Sequence, residues 1–342
     1  SLGQLWLEHS QASSGLDNTY MNASYFDWKY YMDEAPQEPA VAAKLRELRA
    51  PLASLNPEEI TLMDPCMGSG HILVYAFDVL MNIYTSCGYD PREAAIAIVH
   101  KNLWGLDIDR RAAQLSYFAL MMKARQYNRR AFELIETTHL YAIQDSDALT
   151  EPMMARLAGK DKALLRDLHT LKMDFADAGE YGSILKPSPI DIDALWARLH
   201  EEAFHYDQNM VDRLLQQQMA EALPPLLGQH TALTQKYDVV VTNPPYMGSS
   251  GMGAKLSEFV KSNYPDSKSD LFAVFIERCG AMCKQNGFQA MITQHAWMFL
   301  SSFETLRHKL ITGRRFASMA HLGARAFDEI GGEVVQTTAF VL

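Results

Sequence analysis

The fold class is decided by the stretch YDVVVTNPPY, which runs from Tyr237 to Tyr246. Its three valines are consecutive rather than alternating, and this pattern predicts a strand buried on both faces of a parallel sheet. Pro244 and Pro245 lack the backbone N–H that a strand ladder needs, so the strand is expected to end before them. Ligands of open α/β sheets bind beyond the carboxyl ends of the strands. Asn243 and Tyr246 are therefore expected in a ligand-binding crevice.

The group Asn243-Pro244-Pro245-Tyr246 suits catalysis at the exocyclic amine of a nucleobase. Such an amine is a poor nucleophile because its lone pair is delocalised into the ring. The Asn243 side-chain oxygen and the Pro244 carbonyl can accept its hydrogens, and the two prolines stiffen this pair of acceptors. The Tyr246 ring can stack on the base, which contributes roughly 1–3 kcal/mol. The alternative for the motif alone is a strand end closed by a rigid turn with a packed tyrosine.

Length and composition place the chain among globular α/β proteins. It has 342 residues, of which 48% are hydrophobic and 21% are charged, enough for one large domain or two ordinary ones. Apolar runs stay below the roughly 18 residues of a membrane span, and the opening Ser1-Leu2-Gly3-Gln4 does not resemble a signal peptide. We therefore expect a cytoplasmic protein without a membrane partner. The missing initiator methionine suggests a fragment of a longer chain.

Charge and cysteine usage narrow the classes of partner and cofactor. The net charge of −10 argues against a surface that coats nucleic acid without specificity, although a local basic patch or a separate DNA-gripping domain is compatible with it. Cys279 and Cys283 lie on one predicted helix, without a Cys or His pair to complete a zinc site. We interpret them as core thiols in a reducing cytosol and expect no metal.

A glycine turn separates a predicted strand over residues 60–63 from an apolar helix over residues 72–84. Strand, glycine turn and helix in this order indicate a nucleoside-cofactor site. Gly68 and Gly70 allow the backbone to turn tightly and to approach a ligand that a Cβ would block. We therefore expect the cofactor to lie against this turn.

The charges around the turn predict which ligand it takes. Asp64 can bind an ammonium group, and the helix N-terminus favours a carboxylate. A ligand with both groups is an amino acid, so the methionine part of S-adenosyl-L-methionine fits. Pro65 and Met67 complete the predicted cofactor turn. His71 is expected to start the helix rather than to catalyse.

A second predicted strand, over residues 103–109, ends in acidic residues. An acid at this position of a nucleoside-binding sheet hydrogen-bonds the ribose hydroxyls. Asp107 is the better candidate, with Ile108 beside it, because Asp109 is expected to cap the helix over residues 110–125. One face of that helix is expected to be ordinary core: Ala112, Leu115, Phe118, Ala119 and Met122.

A third predicted strand, over residues 139–143, leads to two candidate contacts for the adenine of the cofactor. One of Asp145 and Asp147 can accept a hydrogen bond from the adenine amino group, and the other can cap the next helix. We favour Asp147, followed by Ala148, because Asp-Ala-Leu is the usual form of this turn.

The alternation of strands and helices predicts an α/β fold with a doubly wound, mostly parallel, seven-stranded Rossmann-like sheet. Residues 1–56 are expected to form an N-terminal helical segment, and residues 57–342 the main domain, with a helical insertion over about 150–235. The remaining strands are expected over residues 288–292, 316–322 and 334–342. The helices expected in and after the insertion cover residues 153–171, 190–204, 211–223, 257–263, 269–285 and 301–311.

An aromatic cluster in the N-terminal segment has two interpretations. The commoner role of such a cluster is to anchor a loop to a domain face, and the alternative is stacking on bases. Its members are Tyr20, Tyr25, Phe26, Trp28, Tyr30 and Tyr31.

Four motifs together resemble the γ-class N6-adenine DNA methyltransferases in order and spacing. They are Asp-Pro-x-x-Gly-Ser-Gly from Asp64, Leu-Asp-Ile-Asp ending at Asp109, Asp-Ala-Leu from Asp147 and Asn-Pro-Pro-Tyr from Asn243. Within that class the chain is most similar to the PglX-like methyltransferases of BREX phage-exclusion systems, near relatives of type IIG restriction–modification enzymes. The stretches that carry this likeness are Asn243–Met252, Tyr264–Phe272 and Phe327–Gln336.

The resemblance covers essentially the whole chain and implies an adenine-specific, site-specific DNA methyltransferase of phage defence. It implies S-adenosyl-L-methionine as cofactor, double-stranded DNA with a flipped adenine as substrate, and possible partners among other phage-defence proteins. The residues implied for the cofactor are Asp64, Gly68 and Gly70 at the methionine end, Asp107 at the ribose and Asp147 at the adenine. The residues implied for the target adenine are Asn243, Pro244 and Tyr246.

Two features of that family are expected outside this chain, and two other functions stay open. The Thr-Pro cofactor motif is expected just upstream of Ser1, and a target-recognition domain after the C-terminus. One open alternative is methylation of a protein glutamine, although enzymes of that kind are compact and lack a large insertion. The other is a cofactor-sensing defence component whose activity depends on partners.

Overall fold

Seven strands form one sheet in the computed structural model, which describes residues 1–14, 26, 28, 31, 37–203, 210–323 and 336–342. In chain order the strands are β1 (Leu62–Asp64), β2 (Leu103–Asp107), β3 (His139–Ala142), β4 (Tyr237–Thr242), β5 (Cys283–Gln294), β6 (Ser318–Gly323) and β7 (Thr337–Val341). Their order across the sheet is β3-β2-β1-β4-β5-β7-β6. The expected seven-stranded sheet is confirmed, although β2 and β7 are shorter, and β5 is longer, than the sequence predicts.

Strand direction identifies the place where such sheets bind ligands. Strands β1 to β5 are parallel to one another, and β7 runs antiparallel to both β5 and β6. The sheet is therefore mixed but mostly parallel. The chain winds from β1 toward β3 on one side and from β4 toward β6 on the other, so the switch point lies between β1 and β4. The crevice beyond these two strands is the expected ligand site of a doubly wound sheet.

Helices cover both faces of the sheet. On one face α1, α3, α4 and α5 pack together, while α7, α11 and α13 lie on the other. The described α-helices are α1 (Leu2–Ser14), α2 (Pro39–Arg49), α3 (His71–Ser86), α4 (Pro91–Ala97), α5 (Arg110–Tyr127), α6 (Ala131–Leu134), α7 (Glu151–Ala158), α8 (Lys162–Asp174), α9 (Ala178–Tyr181), α10 (Ile192–Ala203), α11 (Met210–Thr234), α12 (Ala254–Asn263), α13 (Leu271–Met282) and α14 (Glu304–Gly313). A π-helical turn over Ile98–Asn102 and 3₁₀ turns over Ala50–Ser54, Pro57–Glu59, Gly182–Ile184, His295–Met298 and Ser301–Phe303 complete them. None of the described helices is long and apolar enough to cross a membrane.

The valine run of β4 is consecutive because the sheet is buried on both sides. Val239 packs into the core with α1 and α3, whereas Val240 packs into the opposite core with α11 and α13. Successive side chains of a strand point to opposite faces, so a central strand needs apolar residues at adjacent positions. This observation explains why the pattern predicted the fold class.

The expected core face of α5 is wrong. Leu115, Phe118 and Met122 are exposed, and the buried residues of the helix are Ala113, Ser116, Leu120, Met121 and Ala124. The buried face is therefore rotated from the expected one, and its small residue Ser116 lets α5 approach the glycine turn closely.

Two predicted helix ends also differ from the structure. Residues 269–285 were expected to form a helix, but α13 ends at Met282 and Cys283 already pairs with Tyr237 in the sheet. Asn286, with φ of 63°, makes a turn inside an irregular strand segment instead of stopping a helix. The predicted helix over 211–223 continues through Pro224 and Pro225 to Thr234 because its last turns are held by buried contacts.

The insertion between β3 and β4 is helical, as expected, but its first helix is divided. The stretch predicted over 153–171 forms α7 and α8, separated at Gly159, which has φ of +57°. A left-handed residue of this kind ends a helix. Short segments of the insertion lie against the candidate site, which the sequence pattern did not indicate.

The described members of the N-terminal aromatic cluster are packed against the protein. Phe26 stacks on Trp28 with ring centroids 4.4 Å apart, and both join the core that contains α1 and α3. Tyr31 packs against the same core. The anchoring interpretation holds for these residues. Tyr20, Tyr25 and Tyr30 lie outside the described residues, as does the stretch Phe327–Val335 of the family-like segment.

Candidate active site

One hydrogen bond joins the ends of the two strands that flank the switch point. Thr242, the last residue of β4, donates its hydroxyl to Oδ1 of Asp64, the last residue of β1, at 2.7 Å. Asn243 follows Thr242 directly in the chain. The predicted cofactor acid and the predicted catalytic amide therefore lie at one crevice, on either side of this bond.

The two carboxylate oxygens of Asp64 differ in their surroundings. Oδ1 accepts from Thr242 and from the Cys66 N–H, whereas Oδ2 is buried and has no hydrogen-bond partner among the described residues. Burial raises the pKa of Asp64 to about 7, and the negative charge of Asp107 adds to this rise. A buried acceptor without a donor destabilises a fold by roughly 1–3 kcal/mol. A cationic group beside Oδ2 would remove this penalty.

The glycine turn has the conformation that its sequence predicts. Gly68 and Gly70 have φ of +52° and +86°, a region that favours glycine. A Cβ on Gly70 would lie 2.5 Å from Oγ of Ser116 on α5, while a Cβ on Gly68 would meet nothing within 4 Å. Gly70 thus permits the close approach of α5, and the space over Gly68 is open to a ligand.

Pro65 and Met67 take part in the turn through their backbones. Both residues are buried, and the Met67 N–H donates to the Leu106 carbonyl of β2 at 3.0 Å. A Cβ on Gly105 would lie 2.4 Å from Sδ of Met67, so the methionine side chain lies under the turn, against β2. Both predicted cofactor residues are therefore buried in the turn.

Asp107 fixes the turn as well as ending β2. Its Oδ2 accepts from the Gly68 N–H at 2.9 Å, and its Oδ1 accepts from the Asp109 N–H at 2.8 Å. Each oxygen keeps a second lone pair for a further donor. Ile108 is 60% exposed beside it. Asp109 caps α5 by accepting from the Arg111 N–H, as predicted.

The two acids after β3 differ in their hydrogen bonding. Oδ1 of Asp145 accepts from the Gly179 N–H of α9 at 2.8 Å. Asp147 and Ala148 are exposed, and the Asp147 carboxylate accepts no hydrogen bond from the described residues. Gln229 of α11 holds this turn by bonding both the N–H and the carbonyl of Gln144. Asp147 is therefore the acid with free acceptors.

The Asn-Pro-Pro-Tyr motif contains an internal hydrogen bond. The Tyr246 hydroxyl lies 2.9 Å from Oδ1 of Asn243 and 3.1 Å from the Ile292 carbonyl of β5, and it donates to these acceptors. Burial raises the pKa of Tyr246 to about 12, with a smaller contribution from Asp270, so the hydroxyl keeps its proton. Asn243 and Tyr246 remain exposed to the crevice.

The two prolines differ in burial. Pro244 is buried and Pro245 is exposed. The Pro244 carbonyl accepts no hydrogen bond from the described part of the chain, so it is free for a ligand donor. With Oδ1 of Asn243, it offers the pair of acceptors that the sequence predicts.

The loop after the motif is held by the start of α13. Oδ1 of Asp270 accepts from the Met247 N–H at 3.2 Å, and the Leu271 N–H donates to the Met247 carbonyl at 3.0 Å. These bonds fix the backbone that follows Tyr246. Asp270 was not singled out in the sequence, although its position just before an apolar helix is the usual signal of a helix cap.

The comparisons with known proteins agree with this geometry. The model of the Eco57I restriction-modification methylase family matches residues 101–327, which is more than half of the chain. The chain belongs to the Eco57I restriction-modification methylase family. The matched region includes the ends of β2, β3 and β4, but it begins after the glycine turn.

Two curated relatives match this chain over its whole length. "Adenine-specific methyltransferase PglX" of Lacticaseibacillus casei (strain Zhang) is 45% identical and "Adenine-specific methyltransferase BrxX" of Escherichia coli O9:H4 (strain HS) is 40% identical, each over 100% of this chain. The chain spans 28% and 29% of the length of these relatives. The predicted resemblance to PglX-like methyltransferases is confirmed.

One solved structure shows a more distant similarity to this chain. A cryo-EM structure of a DrdV–DNA complex has a TM-score of 0.46 and 12% identity, covering 83% of this chain and 23% of that chain. Likeness at this level carries no argument about function.

Ser183 of the insertion and Arg278 of α13 support the glycine turn. The Ser183 hydroxyl donates to the Pro65 carbonyl, and the Arg278 guanidinium donates to the carbonyls of Ser183 at 3.0 Å and Leu233 at 2.7 Å. Burial lowers the pKa of Arg278. Sequence reasoning missed both residues because an isolated Ser in the insertion and an isolated Arg in an apolar helix carry no recognisable pattern.

Replacement of Arg278 by Met is expected to destabilise the protein by roughly 2–4 kcal/mol, because two buried carbonyls lose charged donors. Arg130→Met is the control, since the exposed Arg130 side chain pairs with Glu133, three residues away on the surface. That change is expected to alter the free energy of unfolding by less than about 0.5 kcal/mol. Urea denaturation measures both variants. Equal effects would contradict the supporting role of Arg278.

A cavity of about 480 Å³ lies beside the site but is not part of it. It is bordered by α1, α3 and the N-terminal aromatic residues, and it meets the glycine turn only at His71. None of the predicted cofactor or catalytic residues lines it. Among the described residues no three His, Cys, Asp or Glu side chains are grouped as metal ligands.

Proposed function

We propose that this chain is the catalytic part of an enzyme that transfers a methyl group from S-adenosyl-L-methionine to N6 of adenine in DNA. We further propose a role in anti-phage defence of the BREX or restriction–modification type. The observation that carries the proposal is the bond between Thr242 and Asp64, which holds an unpartnered buried carboxylate oxygen and an exposed Asn-Pro-Pro-Tyr motif at one crevice. Family membership and the names of the two relatives support it.

The residues around the turn fit the cofactor. Oδ2 of Asp64 needs a donor, and the ammonium of a methionine group supplies one. The open space over Gly68 admits the chain of the ligand, and Asp107 has free lone pairs for ribose hydroxyls. Ile108 offers an exposed apolar side chain to the adenine, and Asp147 offers an acceptor to its amino group. When bound, S-adenosyl-L-methionine supplies an electrophilic methyl group.

The motif after β4 fits the target amine. Oδ1 of Asn243 and the Pro244 carbonyl accept its two N–H hydrogens, which concentrates its lone pair toward the methyl donor. The Tyr246 ring then stacks on the base, while the Tyr246 hydroxyl keeps the Ile292 carbonyl as acceptor. We propose that the base is flipped out of the duplex, because an adenine inside a base-pair stack cannot reach this crevice.

The test follows the methyl label. The full-length protein, with and without other proteins of its defence system, is incubated with DNA and S-adenosyl-L-methionine labelled in the methyl group. We expect label in DNA as N6-methyladenine within one short sequence, which sequencing of the modified DNA identifies. Label on a protein glutamine would refute this proposal and would indicate that the protein methylates glutamine. Label in neither substrate under any condition would overturn the enzymatic proposal.

Asp147→Ala is expected to weaken cofactor binding about 10- to 100-fold, because a carboxylate acceptor for the adenine amino group is lost. Asp145→Ala provides the matched comparison, since that carboxylate already accepts from Gly179. We expect Asp145→Ala to lower the free energy of unfolding by about 1 kcal/mol and to change affinity less than about threefold. Calorimetric titration with the cofactor measures the affinities. The reverse order would assign the adenine contact to Asp145.

A further inference from the structure

The loop after β5 exposes two adjacent apolar side chains. β5 ends at Gln294, two 3₁₀ turns follow, and Phe299 and Leu300 lie between these turns. Phe299 is 64% exposed and Leu300 is 53% exposed. Adjacent exposed apolar residues also occur elsewhere, as at Tyr117 and Phe118, so the position of this pair in the fold decides what it can contact.

The loop tip, formed by Phe299 and Leu300, is fixed by contacts of its neighbouring residues with the core. Trp297 is buried on Phe340 of β7 with ring centroids 5.3 Å apart, and its indole N–H donates to Oγ1 of Thr293 at 3.1 Å. Arg307 of α14 donates to the carbonyls of Trp297 and Leu300. The exposed pair is therefore presented by a braced loop and does not fold back into the core.

The tip lies at the same edge of the sheet as the candidate active site. β4 and β5 are parallel neighbours, with Thr242 opposite Met291, so their carboxyl ends lie side by side. The Tyr246 hydroxyl bonds the Ile292 carbonyl, near the end of β5. A series of aromatic rings makes a second connection, from Tyr246 to Phe272 at 6.2 Å and from Phe272 to Phe303 at 5.9 Å. The position of the tip relative to Tyr246 is therefore fixed.

Two imidazoles lie beside the tip. The ring of His295 meets Phe299 edge to face with centroids 5.3 Å apart, and its Nδ1 lies 3.0 Å from Nε2 of His321 on β6. Ser301 and Ser302 follow the tip, and Glu304 at the start of α14 is the first acidic residue after it. The two histidines and two serines supply uncharged polar groups that can lie against a polyanion.

We propose that Phe299 and Leu300 enter the DNA duplex beside the target adenine and occupy the gap that the flipped base leaves. The inference rests on the proposed function, because only a flipped base creates such a gap. Apolar side chains inserted into a base stack replace the stacking that is lost and hold the duplex open. The tip lies at the same edge of the sheet as Tyr246, so it can fill the gap while the flipped adenine stacks on the tyrosine ring. Phe299 and Leu300 are thus positioning residues for the reaction.

The test compares two DNA duplexes that differ only opposite the target adenine. One is fully paired, and the other carries an abasic site opposite the adenine, so that flipping the adenine costs less free energy. Both contain the sequence identified by mapping of methylated DNA, and the full-length protein is used with the system proteins that support transfer. Phe299→Ala is expected to lower kcat/KM about 10- to 100-fold on the paired duplex and less than about threefold on the abasic duplex.

Two further variants control for size and fold. Phe132→Ala removes a phenylalanine that is 46% exposed on α6, at the opposite edge of the sheet, and is expected to leave both rates within about twofold of the unsubstituted protein. Phe299→Leu keeps an apolar side chain and is expected to restore most of the rate on paired DNA. Cofactor affinity, measured by titration, should be the same for all three variants.

Each outcome decides between the proposals. Equal loss for Phe299→Ala on both duplexes, or no loss on either, would overturn insertion of the tip while leaving DNA methylation in place. Loss of cofactor affinity in Phe299→Ala would also overturn it, because the tip would then support the cofactor site. No transfer by the unsubstituted protein to either duplex would overturn the proposed function, and this inference with it.

Discussion

Asn243→Ala is expected to lower the rate of methyl transfer about 100- to 1000-fold, while the affinity for S-adenosyl-L-methionine changes little. We propose Oδ1 of Asn243 as one of two acceptors for the target amine, and the alanine variant would leave only the Pro244 carbonyl. Cofactor contacts are assigned to other residues, at Asp64, Asp107 and Asp147. A large effect on kcat with a small effect on cofactor binding is therefore the signature of this role.

Two comparisons make the Asn243 result specific. Asn82→Ala changes an exposed asparagine on α3 and is expected to leave transfer within about twofold. Asn243→Asp keeps an oxygen acceptor and is expected to retain more transfer than the alanine variant. Single-turnover assays with labelled methyl donor measure the rate, and titration measures binding. Normal methylation of DNA by Asn243→Ala would remove the motif from the mechanism.

Asp64→Asn is expected to weaken cofactor binding about 100-fold and, above pH 7, to stabilise the cofactor-free protein. The ionised carboxylate is buried with one oxygen unpartnered, so the folded state without cofactor favours the protonated acid. The amide of the variant has nearly the same shape and carries no charge. Removal of the charge therefore favours folding, and removal of the partner for the ammonium opposes binding.

The raised pKa of Asp64 also sets the direction of the pH dependence. The pKa rises from 3.8 to about 7 on folding, so the folded state binds the proton more tightly than the unfolded chain does. This group therefore makes the cofactor-free protein less stable as pH rises from about 4 to about 7, by roughly 4 kcal/mol in total. Cofactor affinity should increase by up to about tenfold per pH unit below pH 7 and level off above it, since binding needs the carboxylate.

Asp238→Asn is the matched control for the Asp64 variant. The Asp238 carboxylate is also buried, but it accepts from the Thr61 N–H, the Thr61 hydroxyl and the Lys284 ammonium. Loss of its charge is expected to lower stability by about 1–2 kcal/mol and to leave cofactor affinity and its pH dependence unchanged. Thermal unfolding from pH 5 to 9 and calorimetric titration measure both variants. A destabilised Asp64→Asn protein with unchanged affinity would refute the assignment of Asp64.

Parts of the fold could be predicted from the sequence where burial or backbone conformation requires a particular type of residue. Consecutive valines need a strand buried on two faces, and Gly68 and Gly70 need positive φ. Asp109 was identified as a helix cap because the acid immediately precedes the helix. Such local rules placed Asp64 and Asn243 at the carboxyl ends of adjacent strands, and the structure confirms this placement.

The remaining features depend on contacts between residues that are far apart in the sequence, which local sequence patterns do not reveal. Apolar spacing on α5 indicated Leu115 and Phe118 as core, because the pattern could not show that Ser116 faces the glycine turn. The support of Pro65 by Ser183 joins residues 118 positions apart in the chain. Asp145 and Asp147 could not be separated without α9, which supplies the Gly179 N–H.

The hydroxyl of Tyr246 already occupies one lone pair of Oδ1 of Asn243, the acceptor that we propose for the target amine. On this proposal an extrahelical purine brings both a further donor for that oxygen and a ring for the tyrosine to cover, whereas a water molecule brings only a donor. The motif is therefore expected to favour a planar base over small polar molecules.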